Sequence, residues 1–101
     1  MNEYKIVIDP GHGGDDPGAS GNGIVEKNLT LNISKYMFDR LKELGIPVSI
    51  TRLDDSTLSP TDRVNRILSF YGDSPNVIVI SNHINAGGAE GQSVTNIKYN
   101  N

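Results

Sequence analysis

Three short runs of β-branched apolar residues alternate with two stretches of helical periodicity, and this alternation is the strongest constraint on the fold. The apolar runs cover residues 4–8, 46–51 and 77–80, and the helical stretches cover residues 26–44 and 60–71. Strands separated by helices of this length need crossover connections, which are almost always right-handed and give a parallel sheet. We therefore predict an α/β fold in β-α-β-α-β order: a twisted, mainly parallel sheet with helices on both faces, in one domain over residues 1–101.

The spacing of apolar residues predicts which face of each helix is buried. In the first helix, apolar residues recur at steps of three and four, which places on one face Leu29, Ile33, Met37, Leu41 and Leu44. Gly45 and Pro47 then favour the end of this helix. The second helix is predicted to begin with Ser59 as its N-cap and Pro60 at its first position. Its predicted buried face consists of Val64, Ile67, Leu68 and Tyr71.

Two segments have neither helical nor strand periodicity. Residues 11–23 hold six glycines and one proline, so we predict a loop. Residues 92–101 are polar and fit either a fourth strand or a tail. A further Gly-rich segment, residues 87–91, separates residues 92–101 from the last predicted strand.

Composition excludes several classes of function. The formal net charge is −3 and there is no run of Lys or Arg, so nucleic acid is not an expected partner. No apolar run approaches the roughly 20 residues that span a bilayer, and residues 1–8 are too short for a secretory signal, so we expect neither membrane insertion nor an export signal in this chain. Because the chain has no Cys, any metal must be held by His and carboxylate side chains.

The two histidines of the chain both follow predicted strands. His12 comes four residues after the first strand, and His83 comes just after the third. Ligands of parallel α/β sheets gather beyond the carboxyl ends of the strands, so neighbouring strands would bring both imidazoles to one site. A lone His is more often a structural residue, but two that follow the same kind of strand end favour a shared site.

A carboxylate is needed to complete a metal site of this kind, since two His and one Glu are an attested zinc ligand set. Glu26 opens the first helix directly after the Gly-rich loop. It is equally explained as a partner of the helix dipole. The competing carboxylates are Asp9, Asp15 and Asp16, of which the last two, followed by Pro17-Gly18, are typical of a turn.

Two other chemistries are weakly indicated. The sequence GHGGDDPG after a strand has the glycines of a phosphate-binding turn. However, more than ten residues, including Asp15 and Asp16, lie between the strand and the helix, and these two acids would repel a phosphate. A serine hydrolase is disfavoured because the chain contains no G-x-S-x-G elbow.

Two sequence motifs carry a family resemblance. The segments IVIDPGHGGDDPGA and VISNHINA, in this order and with Glu26 between them, resemble the zinc-dependent N-acetylmuramoyl-L-alanine amidases. The TRLDD segment and the following helix with Asp62-Arg63-Val64 fit the same layout. This family, which includes autolysins, sporulation amidases and phage endolysins, is built on a twisted sheet with helices on both faces.

The resemblance implies a cofactor, a substrate and site residues. His12, Glu26 and His83 correspond to the ligands of Zn²⁺, and Asn85 is expected to support the loop beside the metal. The implied reaction is hydrolysis of the amide between N-acetylmuramic acid and L-alanine in peptidoglycan, which places the activity at the cell wall. The substrate cleft would be lined by residues 11–23 and 87–91.

The sequence departs from the family after Ala86. The family domain continues to a second catalytic glutamate that acts as general base and acid, and nothing after Ala86 matches that segment. Glu90 is interpreted as a loop acid, so the residue for proton transfer is unknown. The chain therefore resembles the front portion of the domain, and we expect an exposed apolar sheet face and self-association. The alternative is a non-catalytic, zinc-containing fragment that either binds peptidoglycan or has a regulatory role.

Overall fold

Eight elements make up the fold. The computed structural model describes residues 3–85 and 92–99, with backbone alone for residues 85 and 92–99. In chain order the elements are β1 (Lys5–Pro10), β2 (Ser20–Gly21), β3 (Ile24–Val25), α1 (Glu26–Glu43), β4 (Val48–Ile50), α2 (Pro60–Tyr71), β5 (Val77–Asn85) and β6 (Gln92–Tyr99). None of the helices in these ranges is long and apolar enough to cross a membrane.

The main sheet has the strand order β4-β1-β5-β6. Strand β1 pairs in parallel with both β4 and β5, whereas β6 runs antiparallel to β5. Val7, Val77 and Val79 form a core cluster against α2. Asn82 has the opposite parity along β5, and its side chain reaches Ser34 of α1. Because successive side chains of a strand point to opposite faces, the two helices cover opposite faces of the sheet, which confirms the predicted α/β architecture.

Strands β1 and β5 are longer than their apolar runs. Strand β1 continues through Asp9 and Pro10, and β5 continues to Asn85. The prediction that His83 follows the third strand was therefore wrong, since it lies within β5. The reason is the pairing of β5 with β6, in which His83 pairs with Val94. This pairing continues β5 through Asn85, three residues beyond Asn82, where its pairing with β1 ends. This pairing also confirms the strand alternative for the polar segment after residue 91.

The Gly-rich segment is not entirely a loop. Strands β2 and β3 form a small antiparallel hairpin in which Ser20 pairs with Val25 and Gly21 with Ile24. The two residues between them, Asn22 and Gly23, have φ angles of 52° and 79°. Positive φ at both central residues is the requirement of a type I′ turn, for which Asn-Gly is the preferred sequence. The Asn22-Gly23 dipeptide predicts a hairpin, and the loop prediction made from the number of glycines overlooked it.

Helix α1 buries a polar stripe rather than a purely apolar one. Its fully buried residues are Glu26, Thr30 and Ser34, spaced one turn apart. Most of the predicted apolar face is half-buried on either side of this stripe, and Leu44 is exposed. The stripe is buried because each of its side chains makes hydrogen bonds to the strands or to the loop after β1. The first turn of α1 is thereby fixed against the end of the sheet.

Helix α2 is rotated relative to the prediction. Ile67, Phe70 and Tyr71 pack on the core cluster, whereas Val64 and Leu68 are exposed. The rotation has a physical cause in two arginines on the sheet-facing side. Arg63 donates to Asp9, Pro10 and His12, and Arg66 donates to the backbone of Thr51. The orientation of this helix therefore follows from hydrogen bonds to four polar groups at or just after the strand ends, namely the carboxylate of Asp9 and the carbonyls of Pro10, His12 and Thr51.

Candidate metal centre

Three side chains from three separate segments meet beyond β1. Nε2 of His12 lies 3.0 Å from Oε2 of Glu26, and Nδ1 of His83 lies 3.7 Å from the same oxygen. The two imidazole rings meet edge to face, with centroids 5.2 Å apart. One ligand atom from each residue lies within 4.8 Å of the other two. The arrangement follows from the parallel register of β1 and β5, which places Pro10 opposite Asn82.

Glu26 is buried at the first position of α1 and is held at both carboxylate oxygens. Oε1 accepts the N–H group of Ala19 at 2.9 Å, and Oε2 accepts the N–H group of Ile84 at 2.8 Å. Burial raises the pKa of this carboxyl group, but these two N–H groups and the nearby charges of His12 and His83 outweigh it, so the pKa lies below its usual value. Glu26 is therefore an oriented anion near neutral pH.

His12 has an unusual backbone conformation and a carboxylate partner. Its φ angle is 65°, in the left-handed region, where a residue other than glycine costs about 1–3 kcal/mol. Nδ1 of its ring is 2.9 Å from Oδ2 of Asp16, and this hydrogen bond holds the pKa of Asp16 below its usual value. With the proton on Nδ1, the lone pair of Nε2 would be available for a metal ion between His12 and Glu26. A carboxylate behind a ligating His is a common way to fix the tautomer at a metal site.

Two glycines leave space for the three clustered side chains. A Cβ on Gly11 would lie 2.7 Å from Nδ1 of His83. A Cβ on Gly18 would lie 2.7 Å from both Oε1 of Glu26 and Cδ2 of His12. The glycines predicted as loop residues therefore also have a steric role, because the side chains of His12, Glu26 and His83 approach the backbone too closely for any other residue.

The turn that carries Asp16 is fixed from outside by the segment after β4. The N–H group of Gly14 donates to Oδ1 of Asp55 at 2.8 Å, and the N–H group of Asp15 donates to Thr57 at 2.9 Å. Lys27 of α1 links this turn to the segment after β4, since its ammonium group donates to the carbonyl of Gly14 and to Asp55. These hydrogen bonds attach the ligand-bearing loop to the start of α1.

The donor set and its spacing fit Zn²⁺. Tetrahedral zinc with ligands at about 2.0–2.1 Å has ligand atoms roughly 3.3–3.4 Å from one another. The separations of 3.0 Å and 3.7 Å from Oε2 of Glu26 bracket that value, and the ligand atoms of His12 and His83 lie within 4.8 Å of each other. Two imidazoles and one carboxylate leave a fourth position for water, which is typical of catalytic zinc sites.

The structure brings together the three residues predicted from the sequence, and their role as ligands stays a prediction. Asp9 lies outside the cluster, because its carboxylate accepts from Thr51, Ser81 and Arg63. The prediction for Asp15 as a turn residue agrees with its exposure and its backbone bond to Thr57. The side chain of Asn85 and the whole of residues 87–91, with Glu90, lie outside the described residues.

Sequence reasoning missed the supporting residues. Asp16 was considered as a competing metal ligand and interpreted as a turn residue, but not as a partner of His12, although its spacing of four from His12 was visible. Arg52 and Arg63, which contact the backbone of the His12 loop, were noted only as parts of a layout. The signal in the sequence was the placement of Arg52 directly after the second predicted strand and of Arg63 inside the second predicted helix.

The sequence profile of a family described as N-acetylmuramoyl-L-alanine amidase matches residues 6–100. The chain belongs to this amidase family. It is 42% identical over 89 residues to the sporulation-specific N-acetylmuramoyl-L-alanine amidase of Bacillus subtilis. It is 43% identical over 89 residues to the N-acetylmuramoyl-L-alanine amidase CwlM of Bacillus licheniformis. Each of these matches covers 86% of this chain, and 33% and 34% of the respective relative.

Solved structures of the amidase family share the fold. An N-acetylmuramoyl-L-alanine amidase from Clostridium difficile 630 superposes with a TM-score of 0.74 and 33% identity, over 89% of this chain and 49% of that one. The amidase AmiC2 of Nostoc punctiforme superposes with a TM-score of 0.73 and 31% identity, over 88% of this chain and 48% of that one. The chain thus spans about a third of the length of the two curated relatives and about half the length of these solved chains.

Proposed function

We propose that residues 1–101 form the zinc-binding part of an amidase domain that hydrolyses the bond between N-acetylmuramic acid and L-alanine in peptidoglycan. The observation that carries this proposal is the convergence of His12, Glu26 and His83 on one point in a chain of the amidase family. The relatives' names give the bond that is cut. The activity would be exerted at the cell wall.

Each of the three residues has a defined part in holding the metal. Glu26 supplies a negative charge that its two N–H donors keep in one orientation. His12 supplies Nε2 while Asp16 holds the proton on Nδ1. His83 supplies the second imidazole from β5. When bound in such a site, zinc lowers the pKa of a bound water and polarises the scissile carbonyl.

Metal content and hydrolysis are tested separately. Elemental analysis of the purified 101-residue chain should give about one zinc per chain, lost on dialysis against a chelator and regained on adding zinc. His12→Ala or His83→Ala should abolish zinc retention. Asp15→Ala is the matched control, because its exposed side chain belongs to the same loop and does not contact the cluster. Loss of zinc in Asp15→Ala together with retention in Glu26→Ala would show that the third ligand is wrongly assigned.

Hydrolysis is measured as new amino termini released from purified peptidoglycan, with and without chelator. Chelator-sensitive release supports the amidase. Chelator-sensitive binding to peptidoglycan without release favours the alternative of a non-catalytic zinc-containing fragment. That alternative rests on the expectation from the sequence that this chain lacks the family's second catalytic glutamate, while the family profile matches through residue 100. Size-exclusion chromatography tests the expected self-association, which a compact monomer would contradict.

A further inference from the structure

The backbone of the loop that presents His12 is held by two arginines that bond to its carbonyl oxygens rather than to the side chains of His12, Glu26 or His83. Arg63 donates from Nη1 to the carbonyl of Pro10 at 2.9 Å and from Nη2 to the carbonyl of His12 at 3.0 Å. Arg52 donates from Nη2 to the carbonyl of Gly11 at 2.9 Å. Three consecutive carbonyl oxygens, of residues 10, 11 and 12, are therefore each bonded to a guanidinium group.

These two arginines come from different parts of the fold. Arg63 lies on α2, where Nη1 also pairs with the buried carboxylate of Asp9. Arg52 follows β4 and is almost fully buried, and Nη2 also donates to the carbonyl of Lys27 in the first turn of α1. One guanidinium group thus connects the His12 loop to the helix that carries Glu26. The other connects the same loop to the opposite face of the sheet.

The loop needs such support because of its conformation. His12 has a left-handed φ angle of 65°, which a residue other than glycine adopts only when its surroundings enforce it. The N–H group of Gly11 donates to the carbonyl of Asn82 at 2.9 Å, and the carbonyls of Pro10 and Gly11 accept hydrogen bonds from the arginines. Planar guanidinium groups with several N–H donors can span neighbouring carbonyls, which a single ammonium group cannot do in the same geometry.

We propose that Arg52 and Arg63 are positioning residues that hold residues 10–12 in the metal-binding conformation before the metal binds. This inference rests on the proposed zinc site. Its consequence is that zinc affinity depends on two side chains that never contact zinc. Loss of a supporting hydrogen bond behind a metal ligand typically weakens metal affinity by about 10–100-fold.

The test compares arginine-to-lysine variants of the 101-residue chain. Arg63→Lys keeps a positive charge beside Asp9 and removes the second nitrogen that reaches His12. Arg66→Lys is the matched control, because Arg66 lies on the same helix and donates at 2.8 Å to a backbone carbonyl, that of Thr51, outside the loop. Zinc affinity is measured by competition with a chelator, and urea unfolding of the metal-free variants shows whether they are folded.

We expect Arg63→Lys to bind zinc at least about 10-fold more weakly than the wild type, and Arg66→Lys to stay within about twofold. The visible spectrum of the cobalt-loaded protein should change in Arg63→Lys and not in Arg66→Lys, since it reports ligand geometry. Arg52→Lys gives an independent test that does not depend on the pair with Asp9. Its affinity should fall as in Arg63→Lys.

The outcomes separate this inference from the proposed function. A wild-type chain without zinc would refute the proposed function itself. A wild-type chain that binds zinc, with Arg63→Lys and Arg52→Lys both folded and equal to Arg66→Lys in affinity, would overturn the positioning role. Loss of affinity in either variant, with the control intact and the cobalt spectrum altered, supports it.

Discussion

Replacing Gly18 by alanine would test the steric design of the metal centre. Gly18 has a φ angle of 70°, so an alanine there costs about 1–2 kcal/mol in backbone energy alone. Its Cβ would also lie 2.7 Å from Cδ2 of His12, which is roughly 0.8 Å shorter than a carbon–carbon contact of about 3.5 Å. Ligand distances at a zinc site tolerate about ±0.2 Å. The required movement therefore exceeds what the site can absorb.

Gly45→Ala is a control that separates backbone energy from displacement of the ligands. Gly45 follows α1 with a φ angle of 77°, and a Cβ there would meet nothing within 4 Å. Both variants should lower the free energy of unfolding of the metal-free chain by about 1–2 kcal/mol or more, as measured by urea denaturation. Only Gly18→Ala should also lose zinc affinity, by about 10-fold or more in a chelator competition. Equal zinc affinity in the two variants would refute the steric reasoning.

Three further predictions concern the surroundings of the site. Asp16→Asn removes the charge behind His12 and should weaken zinc binding about 10-fold in the same competition assay. Lys27→Met should raise the pKa of Asp55 in an NMR titration of its carboxyl carbon, because the hydrogen bond from Lys27 lowers it. The stability from this lowered pKa is present above about pH 3.9 and is lost as pH falls through the folded-state value. The wild type should therefore lose more stability on acidification than Lys27→Met, which keeps the hydrogen bond from the N–H group of Gly14 to Asp55. Ser59→Ala removes the cap of α2 and should lower the free energy of unfolding by about 1 kcal/mol in urea.

The sequence allowed the strand and helix order to be predicted because each element has a distinct apolar period. The second helix was predicted with its observed ends, since Ser59 and Pro60 are local signals that need no tertiary information. The rotation of that helix could not be predicted in the same way. Apolar spacing favoured Val64 and Leu68 as buried residues, whereas hydrogen bonds of Arg63 across 51 to 54 residues of chain turned the helix instead.

The candidate site was predictable as a set of three residues, and its support was not. His12 and His83 were found by their positions after predicted strands, and the family resemblance supplied Glu26. The role of Asp16 and the two arginines depends on which loop faces which strand end. The positions of these residues were visible in the sequence, but no local pattern predicts that the two arginines contact the His12 loop. The Asn22-Gly23 hairpin, by contrast, had a local signal that could have been used.

The parallel pairing of β1 and β5 has a consequence for how the chain reaches its native state. A slip of one residue would move His83 about 3.3 Å along β1 and turn its side chain toward the opposite face. Such a sheet could still bury many of its β-branched residues, but it would separate His83 from Glu26. Because a ligand that binds one state stabilises only that state, zinc bound at the proposed site would favour the native strand register over neighbouring registers by mass action. Zinc in the growth or refolding medium would then increase the fraction of chains that fold with the native strand register.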